Sequence, residues 1–158
     1  MENKRIAVVR IRGETGLSKP VRDTFKMLRL YKKNNCVVIS NTPVYIGMLG
    51  RLRDAATWGE ITEETFKSLI EKRGRVANKV SLTADYLKQK ANSSFEIFTK
   101  EFMTFKKEIK DVPGMKPFFK LMPPRQGFES KGIKIQFSLG GALGYRKDKI
   151  NDLIKRMI

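Results

Sequence analysis

The hydrophobic pattern of the chain changes period several times in its first sixty residues. Arg5 to Ile11 is a β-branched run suited to a well-covered strand. A polar turn follows at Gly13 to Gly16. Ser18 is placed to cap a helix, and Pro20 falls in its first turn, where a missing N–H costs nothing. Val21, Phe25 and Leu28 then recur at helical spacing, which predicts an amphipathic helix over residues 19 to 31. Asn34 and Asn35 make a turn, and Cys36 to Ser40 is a second strand. Thr42-Pro43 starts another helix, with Tyr45, Leu49, Leu52 and Ala56 as its buried stripe. Gly47 and Gly50 weaken that helix by propensity and suggest close approach of another backbone. Thr57 to Ile61 is a short third strand.

This order predicts an α+β fold: a ferredoxin-like βαβαβ core over residues 1–61, with a three-stranded sheet and two helices on one face. Residues 62–158 form a mainly helical extension packed on it. Thr62 caps a helix with Glu63 and Glu64 at its positive end, Phe66, Leu69 and Ile70 on its apolar face, and Gly74 in the left-handed closing position. Thr83 caps a short helix to about Ala91. Phe95, Phe98, Phe102, Phe105 and Ile109 fall at alternating spacings of three and four. They fit either one helical seam or, as preferred here, a helix from Lys100 to Lys110 capped by Thr99, with Phe95 to Phe98 extended. Either way the phenylalanines read as core and not as a base-stacking platform. Residues 111 to 130 are punctuated by Pro and Gly and read as a loop pinned by Phe118, Phe119 and Leu121. Ile133, Ile135 and Phe137 alternate as a strand, and Asp148 caps a last helix with Ile150, Leu153, Ile154 and Met157 facing inward.

Charge changes the picture. In 158 residues there are 33 Lys and Arg against 16 Asp and Glu, a formal net charge of +17. Such an excess repels itself in a compact state and is relieved by a polyanion, most commonly nucleic acid. An anionic membrane would call for an amphipathic or lipidated anchor, and none is visible. Met1 to Arg5 lead into an apolar run too short for a signal-peptide core, so a cytoplasmic chain is expected.

Templates for catalysis fail. With no histidine in the chain, the commonest general base and metal ligand is missing. The single cysteine, Cys36, lies in an apolar strand and has no disulfide partner. Gly140-Gly141-Ala142-Leu143-Gly144 matches no nucleotide fingerprint. Trp58 ends an apolar stretch and reads as a core anchor. No enzyme, metal, cofactor or small-molecule substrate is expected.

The candidate chemistry is cationic. Arg22, Lys26, Arg29 and Lys33 recur on one face of the first predicted helix, a stripe about 16 Å long at ~1.5 Å per residue if Lys33 is helical. Only Asp23 interrupts it. Arg10 and Arg12 leave the first strand on one face, and arginine's planar fork suits phosphate oxygens. Pro123-Pro124-Arg125-Gln126-Gly127 displays Arg125 on a stiffened loop. With Lys19, Arg51, Arg73, Lys131 and Arg146, these residues make the candidate RNA-binding set.

Several segments together resemble the L-thirty family of large-subunit ribosomal proteins: Arg10-Ile-Arg-Gly13, the helix Asp23 to Leu30, Thr42-Pro-Val-Tyr-Ile-Gly-Met-Leu49 and Trp58-Gly-Glu-Ile61. Beyond residue 61, Glu71-Lys-Arg-Gly74, Pro117 to Arg125 and Ile150 to Met157 resemble the longer archaeal and eukaryotic branch. Without the eukaryotic basic N-terminal arm, the archaeal form is expected. Where that family usually shows Pro-Arg-Gly-Gly and Gly-Asn-Arg, this chain has Pro124-Arg125-Gln126-Gly127 and Gly144-Tyr145-Arg146. The resemblance implies a structural, monomeric component of the large subunit. It would contact large-subunit ribosomal RNA, near the 5S RNA, through the first helix, the Gly13 turn and the Arg125 loop, with other ribosomal proteins beside it.

Overall fold

A computed structural model of the protein describes residues 4–77 and 80–158. Met1 to Asn3, read above as the lead into the first strand, lie outside the described residues. The element order begins β1 (Arg5–Arg10), α1 (Lys19–Met27), β2 (Asn35–Ser40), α2 (Pro43–Arg51) and β3 (Ala56–Glu60). It continues with α3 (Glu63–Arg73), α4 (Ala84–Ala91), α5 (Phe95–Met103), β4 (Phe119–Lys120), β5 (Gly144–Tyr145) and α6 (Ile150–Met157).

β1 lies at the centre of the sheet, antiparallel to both β2 and β3. Every residue of β1 is buried, because both of its faces are covered. Ile6 and Val8 point to one side, where they meet Phe25 and Leu28 from the first helical segment and Leu49 and Leu52 from the second. Ala7 and Val9 point to the other, where the extension supplies Phe66, Phe98, Phe102, Leu153 and Ile154. Side chains alternate across a strand, so one continuous apolar run serves two separate cores.

The three-stranded sheet read from the sequence is widened by the extension to five strands, in the order β4-β2-β1-β3-β5. β4 pairs antiparallel with β2, and β5 pairs parallel with β3. Each added strand is two residues long. They cover part of each edge of the three-stranded core, at Asn35 and Cys36 on one side and at Thr57 and Trp58 on the other.

Several local expectations are corrected. α1 ends at Met27, not near residue 31. The segment 95–98 is helical: Ser94 Oγ accepts from the Ile97 amide, and α5 runs from Phe95 to Met103. Burial of Phe98 and Phe102 against α3 explains this, with Phe102 stacked on Phe66 at 4.2 Å. Ile133 to Phe137 form no strand. Gln136 makes one isolated bridge to Leu143, and Phe137 opens a 3-10 turn. Gly74 closes α3 at φ −59°, not in the left-handed region. It is required there by space, since a Cβ would sit 2.4 Å from the Ile70 carbonyl oxygen. Gly47 and Gly50 face open space, so no backbone approaches them. Ala56 belongs to β3 and not to the α2 stripe. A 3-10 turn over residues 147–149 precedes α6, and the Asp148 side chain does not cap it.

Candidate nucleic-acid interface

α1 buries Phe25 and turns Lys19, Arg22 and Lys26 outward, all three exposed. The helix then stops in a Schellman motif. The Leu30 amide donates to the Phe25 carbonyl at 2.8 Å, and the Arg29 amide to Lys26 at 3.0 Å. Phe25 and Leu30, both buried, make the accompanying apolar contact. Arg29 takes the position that glycine usually fills, at φ +59°. This stop breaks the predicted stripe. Arg29 leaves the helix in a left-handed turn, and Lys33 lies beyond it in the approach to β2. Among the described residues, none of Lys19, Arg22, Lys26, Arg29 or Lys33 is held in a salt bridge.

Two candidates are corrected because they lie inside the protein. Arg10 is 4% exposed. Its guanidinium lies over the Phe25 ring at 4.3 Å and donates to the carbonyls of Arg12, Leu30 and Tyr31 at 2.9, 2.7 and 3.0 Å. It thereby ties the strand to the turn that ends α1. Burial draws its pKa below the ordinary value, with Glu14 opposing. Arg146 is 2% exposed. It donates to Thr57 Oγ1 at 2.8 Å and to the Ala142 carbonyl at 2.8 Å, and it pairs with both carboxylate oxygens of Glu129. Three of the five guanidinium N–H groups of Arg10 and four of the five of Arg146 are thereby engaged within the protein.

The remaining candidates are distributed over the surface. Arg12 is half-buried and reaches the Asp54 carbonyl at 3.3 Å. Arg51 is exposed at the end of α2, in the same helical layer as α1. Lys33 and Arg73 line one hollow together with Lys32, Arg75, Lys116 and Lys120. Those last four were missed in the sequence, since they come from separate segments and share no period. Met122 also borders this hollow, and the chain runs from it into the Arg125 loop. That loop is pinned to α6: the Arg125 amide donates to the Arg156 carbonyl, and Arg156 Nη1 donates back to Gly127. Arg125 is exposed, and Gln126 stands at φ +66°. Lys131 is exposed beside Gly140.

Arg5 was also missed as a structural residue. Its guanidinium lies between the rings of Phe102 and Phe105 at 3.9 and 4.1 Å, and its Nη2 meets Glu108 at 2.9 Å. Cys36 is fully buried, and burial pushes its thiol up to about 12. Among the described residues no group of three or more His, Cys, Asp or Glu side chains could hold a metal ion. Among them, too, no helix is long and apolar enough to cross a membrane.

Comparison with known proteins places this geometry in context. Residues 6–54 match the family model described as ribosomal protein L30p/L7e. The chain is 45% identical over 152 residues to the large ribosomal subunit protein uL30 of Nanoarchaeum equitans, covering 96% of this chain and 97% of the relative. The uL30 protein of Methanopyrus kandleri is 43% identical over 149 residues, covering 94% and 100%. That of Methanococcus vannielii is 45% identical over 152 residues, covering 96% and 98%.

Proposed function

The chain belongs to the ribosomal protein L30p/L7e family, whose members are structural and not enzymatic, and on that premise we propose that it binds and stabilises large-subunit ribosomal RNA through lysine and arginine contacts to phosphate. The observation that carries this reading is the outer surface of α1 and the turn that ends it. Lys19, Arg22, Lys26 and Arg29 are exposed there without salt-bridge partners among the described residues. Each cation that meets a phosphate releases condensed counterions, which supplies binding without any base-specific contact. A folded RNA is then recognised by the shape that sets its phosphates opposite these residues.

In this reading residues 1–61 form the RNA-binding core, and residues 62–158 pack on it and carry a second contact, the Arg125 loop. Arg12, Lys33, Arg51, Arg73 and Lys131 add contacts elsewhere on the surface. Arg10 and Arg146 hold the two basic regions in place from within. The chain acts as a monomer within the cytoplasmic ribosome, with other ribosomal proteins as neighbours and the 5S RNA within its surroundings.

The test is incorporation. Arg22, Lys26 and Arg29 replaced together by Glu should leave a folded protein that no longer co-sediments with large subunits. Wild-type co-sedimentation of that variant would remove α1 from the RNA-binding surface.

A further inference from the structure

The hollow beyond α1 has a composition that phosphate neutralisation alone does not explain. Six cations line it: Lys32, Lys33, Arg73, Arg75, Lys116 and Lys120. Among the described residues no carboxylate lines it, and the rest of its lining is apolar: Phe118, Leu121 and Met122. Met122 is 59% exposed, a large apolar side chain left in water. The volume, about 630 Å³, falls within the range of small-ligand pockets, roughly 300–1,000 Å³. A phosphate backbone lying across the surface would use the six cations and leave the three apolar side chains without a partner.

We propose that the hollow receives a single unstacked nucleotide of the bound RNA, its base against Phe118 and Met122 and its flanking phosphates on the lysine and arginine side chains. This rests on the RNA-binding reading above and extends it. An unpaired base has an apolar π-face and a charged backbone on either side, which is the same division of chemistry that the hollow shows.

Two further observations support this occupant. The hollow is continuous with the α1 surface. Tyr31, half-exposed, borders the shallow depression that holds Arg22 and Lys26, and its ring meets Phe118 edge-on at 5.6 Å. A strand crossing α1 therefore passes Tyr31 and arrives at Lys32, Lys33 and Phe118. The wall also contains an incomplete polar group. Arg73 donates from Nη2 to the Ile158 carbonyl at 2.9 Å, but its Nε is buried and lacks an acceptor among the described residues. An acidic peptide would satisfy the cations, yet its carboxylates offer no flat apolar surface to Phe118 and Met122, so RNA fits better.

The experiment compares two RNA hairpins that differ by one bulged 2-aminopurine nucleotide, titrated with the full chain at low ionic strength. The bulged hairpin should bind about tenfold tighter than the paired one, with its fluorescence quenched by stacking. Phe118→Leu should abolish the preference and the quenching while leaving affinity for the paired hairpin unchanged. Lys116→Gln with Lys120→Gln, both outside the cores, should reduce the preference even if Phe118→Leu does not fold. Equal affinity of the wild-type chain for both hairpins, with unquenched fluorescence, overturns the nucleotide site and leaves the RNA-binding reading standing. Displacement of the bulged hairpin from the hollow by polyglutamate, with the paired hairpin still bound, also overturns it in favour of an acidic peptide. Binding of neither hairpin overturns both.

Discussion

Arg146 and Glu129 face each other through two hydrogen bonds, of 2.7 and 3.3 Å, and the arginine side chain is only 1% exposed. The pair joins the loop after the Arg125 turn to the segment that enters α6, and Thr57 on β3 holds the guanidinium from behind. A buried pair of this kind is weak evidence for net stabilisation, but removing one partner strands the other charge in the interior.

Glu129→Ala should therefore destabilise the fold by about 3 kcal/mol, with Arg146 left buried and uncompensated. Arg146→Met in the same chain should recover part of that loss. Urea unfolding midpoints of the single and double variants check this. Additive losses would show that the two side chains do not act as a pair.

Arg29 occupies a left-handed position that costs a non-glycine residue roughly 1 kcal/mol. Arg29→Gly should raise stability by up to about 1 kcal/mol, somewhat offset by the greater freedom of glycine when unfolded. If the proposed RNA contact is right, the same variant should bind RNA more weakly, because it removes an exposed cation. Thermal unfolding and RNA titration, run on one preparation, separate the two effects. A variant that gains stability and keeps full affinity would show that Arg29 contributes nothing to binding.

Salt dependence counts the phosphates. Arg22→Gln with Lys26→Gln should flatten the slope of log affinity against log salt by roughly 0.7–0.9 per lost contact, about 1.5 in all. Arg146→Gln should leave the slope unchanged, since that guanidinium reaches no solvent. Filter binding across a range of KCl concentrations measures both.

Cys36 should be inert in the native protein. Its thiol is raised from 9.0 to about 12 by burial in β2. A thiol reagent at pH 8 should label the unfolded chain readily and the folded chain only at the rate of unfolding. The sign of the linked stability follows from the same shift. Above pH 9 the unfolded state releases this proton and the native state retains it, so stability is lost between pH 9 and about 12. Fast labelling of the folded protein would contradict the burial.

The core elements were legible because their signals are local. Thr42-Pro43 marks a helix start within four residues, and the Thr42 hydroxyl does accept from the Tyr45 amide. The apolar run of β1 announces a covered strand through its own composition. Where two local readings competed, at Phe95 to Phe98, the choice fell wrongly. Stacking of Phe102 on Phe66, from the earlier helix α3, and of Phe98 on Phe102 selects the helix there.

The fate of each arginine was not legible. Arg10 and Arg22 look equally available in the chain, yet one is sealed over Phe25 by carbonyls twenty residues away and the other stands in water. The basic hollow is likewise assembled from three stretches, around residues 32, 74 and 118, that no periodicity connects. Charge excess, helix faces and caps are short-range or additive properties, so the order of residues suffices to read them. Whether a cation is spent inside or offered outside depends on acceptors and carboxylates brought to it by distant segments, and only the packed fold supplies those.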